Sequence, residues 1–217
     1  MPLKLLIFDL DGTLVDSSID LCNSINHAIK PYGVEPLTVQ KTISLIGEGV
    51  TRLMEKAAVK YSIPASELGA ILARFLAYYD SHLLDNTLLY PGVKETIESL
   101  GSIKKVVVTN KRTEQSVKIL KGLGILNHFS LVLGSDSLTE KKPSPMPLMH
   151  AMKEFGAARH EAVMIGDSTY DIDAGRAAGI KTVALTWGYR PADLLKDADF
   201  LISSIAELPY VLVKIED

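Results

Sequence analysis

The sequence has one cysteine, no paired histidines, no run of lysine or arginine, and no apolar run near the roughly 20 residues that a membrane helix needs. Each absence narrows the reading. A lone Cys22 in 217 residues excludes an internal disulfide. Ile25 and Ile29 lie at helical spacing from it, so it reads as a buried structural thiol rather than a nucleophile. The five histidines are scattered, which disfavours a zinc site. A net charge of −3 without a basic stretch argues against nucleic acid as the main partner. The apolar run near the amino end is short and broken by Asp9 and Asp11. No signal peptide or membrane partner is therefore expected, and the expected location is the cytoplasm.

What is present is a sizeable apolar fraction, 47%, enough for one domain or a domain with an insert. The chain is organised around Leu5-Leu6-Ile7-Phe8-Asp9-Leu10-Asp11-Gly12-Thr13. The apolar part is short and rich in branched side chains, which reads as a buried strand. Two aspartates at i and i+2 where such a strand ends are costly unless something cationic receives them.

After Thr13 the period changes to 3.6. Leu21, Ile25, Ala28 and Ile29 form one apolar face, ended by Pro31 and Gly33. Val39–Leu45 reads as a short helix, Gly47-Glu48-Gly49 as a break, and Leu68, Ile71, Leu72, Phe75, Leu76 and Tyr79 as another face. From Tyr90 strands and helices alternate. Strands are expected over 104–110, 131–133, 162–165, 181–185 and 200–202. Helices are expected over 93–100, 113–123, 147–155, 171–178 and 191–196 and at the carboxyl end. This predicts an α/β fold with a Rossmann-like parallel sheet, helices on both faces and an inserted all-α cap. The boundaries are 1–15 and 86–217 for the core and 16–85 for the cap.

Parallel sheets bind ligands at the carboxyl ends of their strands, where this chain places Asp9/Asp11, Thr109/Asn110 and Asp167, with Asp171 close behind. If the first strand neighbours the one ending at Asp167, four carboxylates meet in one crevice. Like charges at that density raise pKa values unless a divalent cation neutralises them. Oxygen ligands without His or Cys suit Mg²⁺. Lys142, in the stiff Lys141-Lys142-Pro143-Ser144-Pro145 loop, can offset anionic charge. Thr109 and Asn110 offer groups for phosphate oxygens near a helix start. Singly, each has a plainer reading: a turn for Asp9-Leu10-Asp11, a helix start for Asp171, a solvated lysine for Lys142. Their joint placement at strand ends favours chemistry.

Four motifs, Asp9-Leu10-Asp11-Gly12-Thr13, Thr109-Asn110-Lys111, Lys142-Pro143 and Gly166-Asp167-Ser168 with Asp171, give the chain its likeness. In order and spacing it resembles the haloacid dehalogenase superfamily, and within it the phosphoglycolate-phosphatase-like group with a helical cap. The resemblance implies a Mg²⁺-dependent phosphatase acting on a small phosphorylated metabolite through an aspartyl-phosphate. Asp9 would be the nucleophile and Asp11 the acid/base. Asp9, the Asp11 carbonyl and Asp167 would hold the metal, with Asp171 alongside or acting through water. Thr109, Asn110 and Lys142 would hold phosphoryl oxygens. Gly47-Glu48-Gly49-Val50-Thr51-Arg52 resembles the cap segment that faces the active site. There Gly47 allows close backbone approach and Arg52 can pair with a substrate carboxylate, against the plainer reading of a helix–helix turn. Trp187-Gly188-Tyr189-Arg190 is either substrate rim or a loop packed on the core. A β-phosphoglucomutase-like mutase, a pyrophosphatase and a non-catalytic phosphate-binding protein are the alternatives. Monomer and homodimer both fit.

Overall fold

The structure, a computed structural model, describes residues 2–216. The chain divides into two compact units, one made of the residues up to Asp16 with those from Leu89 onward, the other spanning Ser17–Leu88.

The first unit is built on strand β1 (Leu5–Phe8), whose four residues are all buried. The chain leaves through the two-residue strand β2 (Val15–Asp16). The intervening helices are α1 (Ser18–Ile29), α2 (Val39–Ile43), α3 (Val50–Lys60) and α4 (Leu68–Ser81), and the chain returns through β3 (Leu88–Leu89). Neither two-residue strand is long enough to show a period in the sequence. Next come α5 (Val93–Ser99), β4 (Lys104–Val108), α6 (Thr113–Gly122), β5 (Leu131–Leu133) and α7 (Met146–Glu154). The chain ends with β6 (Ala162–Gly166), α8 (Thr169–Ala178), β7 (Lys181–Leu185), β8 (Phe200–Ile202) and α9 (Leu208–Glu216).

Six strands form one parallel sheet in the order β5-β4-β1-β6-β7-β8. Helical crossovers cover both faces of such a sheet, so its strands are apolar on both sides. Leu5 and Ile7 of β1 pack with Val106, Met164, Leu148, Ala151 and Ala174 on one face. The pleat turns Leu6 and Phe8 the other way, where Phe8 meets Phe129 edge-on at 6.1 Å. Each such fully buried side chain contributes about 1.5–3 kcal/mol. β1 lies between β4 and β6. The chain builds outward on the β4 side, then returns to build outward on the β6 side. That reversal opens a crevice at the carboxyl end of β1.

Two helix expectations are corrected. Residues 191–196 form only a 3-10 turn, Ala192–Leu194. The segment is too short to offset helix nucleation, and what fixes it is Leu195, fully buried against Ile172 and Ala184. Helix α8 begins at Thr169, not Asp171: Ser168 is its N-cap and Asp171 its third residue, in a capping box.

In the helical unit α1 packs on α4, burying Leu21, Ile25, Ala28, Ile71, Phe75 and Tyr79. Cys22 is buried and donates to the Leu37 carbonyl at 3.2 Å. Asp20 is buried as well, its charge met by the backbone N–H groups of Asn86 and Thr87 at 2.9 and 2.8 Å and by their side chains. Among the described residues no helix is long and apolar enough to cross a membrane.

Candidate active site

The register of the sheet assembles the site. Phe8 pairs with Val107 on β4 and Ile165 on β6, so Asp9–Asp11 leaves the sheet beside both Thr109–Lys111 and Asp167. The Asp9 N–H still donates to the Ile165 carbonyl at 2.9 Å. Asp9, Asp167 and Asp171 each place a carboxylate oxygen within 4.8 Å of the others. Lys142, only 2% exposed, puts its ammonium 2.9 Å from Asp9 Oδ1 and 2.6 Å from Asp171 Oδ1. The Asp9 contact is an ion pair without hydrogen-bond alignment, which leaves Asp9 Oδ1 without an aligned donor. The other Asp171 oxygen accepts from the Ser168 N–H at 3.0 Å and its hydroxyl at 2.6 Å.

Three carboxylates in so small a buried volume disfavour ionisation. Burial first, then the charges of Asp9 and Asp171, push Asp167 up to about 8. Burial also raises Asp9 to about 6, against the lowering pull of Lys142 and with a further push from Asp171. Burial alone would lower the Lys142 ammonium, but Asp171 and Asp9 outweigh it and hold it above the usual lysine range.

The Asp11 side chain stands apart from that cluster. Both its oxygens lie 3.1 Å from the Lys111 ammonium, in a pair whose side chains are 12% and 5% exposed. Thr109 is buried and its hydroxyl accepts the Lys111 N–H at 3.2 Å. Asn110 donates to the Lys142 carbonyl at 2.9 Å, tying the lysine loop to the end of β4. Four carboxylates against the two ammonium groups of Lys111 and Lys142 leave two formal negative charges. That balance, the oxygen-only donors and the raised Asp9 and Asp167 all fit a hard divalent cation.

Asp167 is held from two sides. The Thr13 hydroxyl donates to Oδ1 at 3.1 Å and the Tyr189 N–H to Oδ2 at 2.7 Å. Both approaches require glycine. At Gly12, φ is +85° and a Cβ would lie 2.3 Å from Asp167 Oδ2; at Gly188 a Cβ would lie 2.2 Å from Asp167 Cβ. The Trp187–Arg190 loop is thus packed on the core and orients a carboxylate. Gly188→Ala is expected to weaken divalent-cation binding by about 10–100-fold, read by titration calorimetry, with the far-UV circular dichroism unchanged.

Of the residues expected from sequence, Asp9, Asp11, Thr109, Asn110, Lys142, Asp167 and Asp171 all belong to the first unit and lie at the carboxyl end of its sheet. Gly47 and Arg52 belong to the helical unit. Arg52 lies in the first turn of α3 and is paired with Glu55 at 2.5 Å and Glu48 at 3.6 Å; Lys56 also pairs with Glu48. Gly47 has φ of +123°, a backbone shape that suits glycine. Lys111, Thr13 and Ser168 lay inside the quoted motifs without a role of their own, and Tyr189 inside the loop read as substrate rim or core packing. For Lys111 the signal was its place in the Thr109-Asn110-Lys111 motif, and for Ser168 the Ser-x-x-Asp capping box. The Tyr189 backbone N–H left no signal.

The parallel sheet, with buried carboxylates and lysines gathered at one end of its central strand, defines an α/β protein with a carboxylate-centred site. The chain belongs to the haloacid dehalogenase-like hydrolase family, whose model matches residues 6–185, as the four motifs implied. It is 39% identical over 218 residues to a phosphoglycolate phosphatase of Chromobacterium violaceum, covering 98% of this chain and 97% of that one. It is 33% identical over 216 residues to a phosphoglycolate phosphatase of Aquifex aeolicus, covering 91% and 97%. Among solved structures, one described as a predicted phosphoglycolate phosphatase from Haemophilus somnus 129PT superposes with a TM-score of 0.91 at 34% identity, covering 96% of this chain and 97% of that one.

Proposed function

We propose that the protein is a Mg²⁺-dependent phosphatase that hydrolyses a small phosphorylated metabolite through an aspartyl-phosphate, with phosphoglycolate as its substrate. The observation that carries this reading is Asp9: a buried carboxylate at the end of the central strand, with an ammonium 2.9 Å away and two further carboxylates within 4.8 Å. The substrate follows from the curated relatives, which are phosphoglycolate phosphatases.

In this reading Asp9 attacks phosphorus, and Asp11, two residues on, serves the leaving oxygen. Lys142 places positive charge beside the nucleophile, where phosphoryl oxygens gather negative charge in a loose transition state. Thr109 and Asn110 offer a hydroxyl and an amide to the same oxygens. Asp9, Asp167 and the Asp11 carbonyl would hold the Mg²⁺, with Asp171 alongside or acting through water. When bound, the ion neutralises the carboxylates and the phosphoryl oxygens. Arg52 is the candidate partner for a substrate carboxylate. It would have to exchange Glu48 and Glu55 for it.

A panel of phosphoglycolate, β-glucose 1-phosphate and pyrophosphate, each with and without Mg²⁺, tests the reading. The expected result is Mg²⁺-dependent release of phosphate, fastest from phosphoglycolate. Conversion of β-glucose 1-phosphate to glucose 6-phosphate without free phosphate would show a mutase instead, and no phosphate from any ester would overturn the proposal.

A further inference from the structure

Two lysines enter the site, and the proposed chemistry uses only Lys142. That lysine serves Asp9 and Asp171. Lys111 serves Asp11, meeting both carboxylate oxygens at the same 3.1 Å. An ammonium equidistant from both oxygens lies in the fork of the carboxylate and restrains its rotation as well as its position. The lysine is itself fixed at the backbone. Its N–H donates to the Thr109 hydroxyl at 3.2 Å, and its carbonyl accepts the Ser135 N–H at 2.8 Å. Gly134 packs so closely on that carbonyl that a Cβ there would lie 2.7 Å from the oxygen. Lys111 is therefore built into the end of β4 and is not a surface side chain that happens to reach Asp11.

We infer that Lys111 is a positioning residue for Asp11, holding its carboxylate in the orientation from which it exchanges a proton with the leaving group. This rests on the acid/base role proposed for Asp11. In the first step an Asp9 oxygen bonds to phosphorus as the ester P–O bond breaks. The electron pair of that bond goes to the ester oxygen, which takes the proton carried by Asp11. Asp11 is left as a carboxylate facing the ammonium, the pairing seen here. In the second step a water oxygen bonds to phosphorus, its proton goes to Asp11, and the electron pair of the Asp9–phosphorus bond returns to Asp9. Both steps need one Asp11 oxygen aimed at a single oxygen of the reacting complex, within about 2.6–3.2 Å. A freely rotating carboxylate meets that requirement only part of the time.

The test compares an alkyl ester, phosphoglycolate, with an aryl ester, 4-nitrophenyl phosphate. The alkyl leaving group needs a proton as it departs; 4-nitrophenolate does not. The quantity read is kcat/KM, which stops at the first irreversible step and so excludes hydrolysis of the phospho-enzyme. Lys111→Met is expected to lower kcat/KM about 100-fold on phosphoglycolate and only a few-fold on the aryl ester. Lys111→Arg, which keeps a forked cation, is expected to restore most of the alkyl rate. Both substrates are measured on one sample, so an unfolded fraction cancels from their ratio. Equal losses on the two esters in Lys111→Met, while Asp11→Asn still separates them, would overturn the inference and leave the Asp11 assignment standing. Failure of Asp11→Asn to separate them would overturn both.

Discussion

Asp9→Asn is expected to lower kcat on any phosphate ester by about 10⁴-fold or more, while the protein stays folded. The amide has the shape of the carboxylate but cannot form an acyl-phosphate under these conditions, so the covalent route closes. The effect on stability has the opposite flavour. Asp9 is carried in the fold at a cost, because burial raises its carboxyl to about 6. A neutral side chain removes that cost and also removes one partner of Lys142, which keeps Asp171 at 2.6 Å. The thermal midpoint in the absence of metal is therefore expected to hold or rise. The two measurements are steady-state release of phosphate and a metal-free melt. Retention of more than a tenth of the wild-type kcat would sink the nucleophile assignment. Loss of the folded signal would show instead that the Asp9–Lys142 pair is needed for folding.

The sheet was legible because its signals are local. A buried parallel strand must be apolar on both faces, so Leu5–Phe8 and Val106–Val108 are recognisable as continuous runs. The polar residues that stop those runs are then the strand ends. The start of α8 had a local cause too: Asp171 is a reasonable first residue by charge, but its carboxylate accepts the Ser168 N–H and hydroxyl, which makes Ser168 the N-cap and sets the boundary. What sequence could not show is which side chains meet once strands are ordered. Lys111 is 100 residues from Asp11 and becomes its partner only because β4 lies against β1. The Gly188 contact is less legible still. It depends on backbone approach to Asp167 from a loop after β7, and a close backbone approach carries no residue pattern of its own.

The same geometry makes these residues depend on one another. Gly12 and Gly188 leave room for Asp167; Ser168 orients Asp171; Asp171 shares Lys142 with Asp9; Asn110 holds the Lys142 loop. A substitution at Gly12, Gly188 or Ser168 acts on the carboxylate cluster without touching a phosphate. This is why the cluster, rather than any one aspartate, sets the behaviour of the protein toward metal and protons.

Binding of Mg²⁺ is accordingly expected to depend steeply on pH between about 6 and 8. Metal requires ionised carboxylates, and in the metal-free fold Asp167 holds its proton up to about 8. Raising the pH through that range removes the competing proton, so the apparent affinity should rise about tenfold per pH unit, with about one proton released per ion bound. The stability of the metal-free protein moves the other way. The Asp167 pKa in the fold lies above the roughly 3.9 of an unfolded aspartate. Its contribution is therefore fully present below pH ~4 and is lost as the pH rises toward 8. Carboxylates lowered by their partners, such as Asp136, Glu161, Asp199 and Glu207, have already delivered their stabilisation above pH ~5. They do not mask the loss. The chelated protein should melt at a lower temperature at pH 8 than at pH 5.5, and Mg²⁺ should raise the midpoint far more at pH 8. Asp167→Asn should weaken both trends and leave only the part near pH 6 that comes from Asp9. A Mg²⁺-induced shift of the same size at the two pH values in the wild-type protein would rule out proton–metal competition at Asp167.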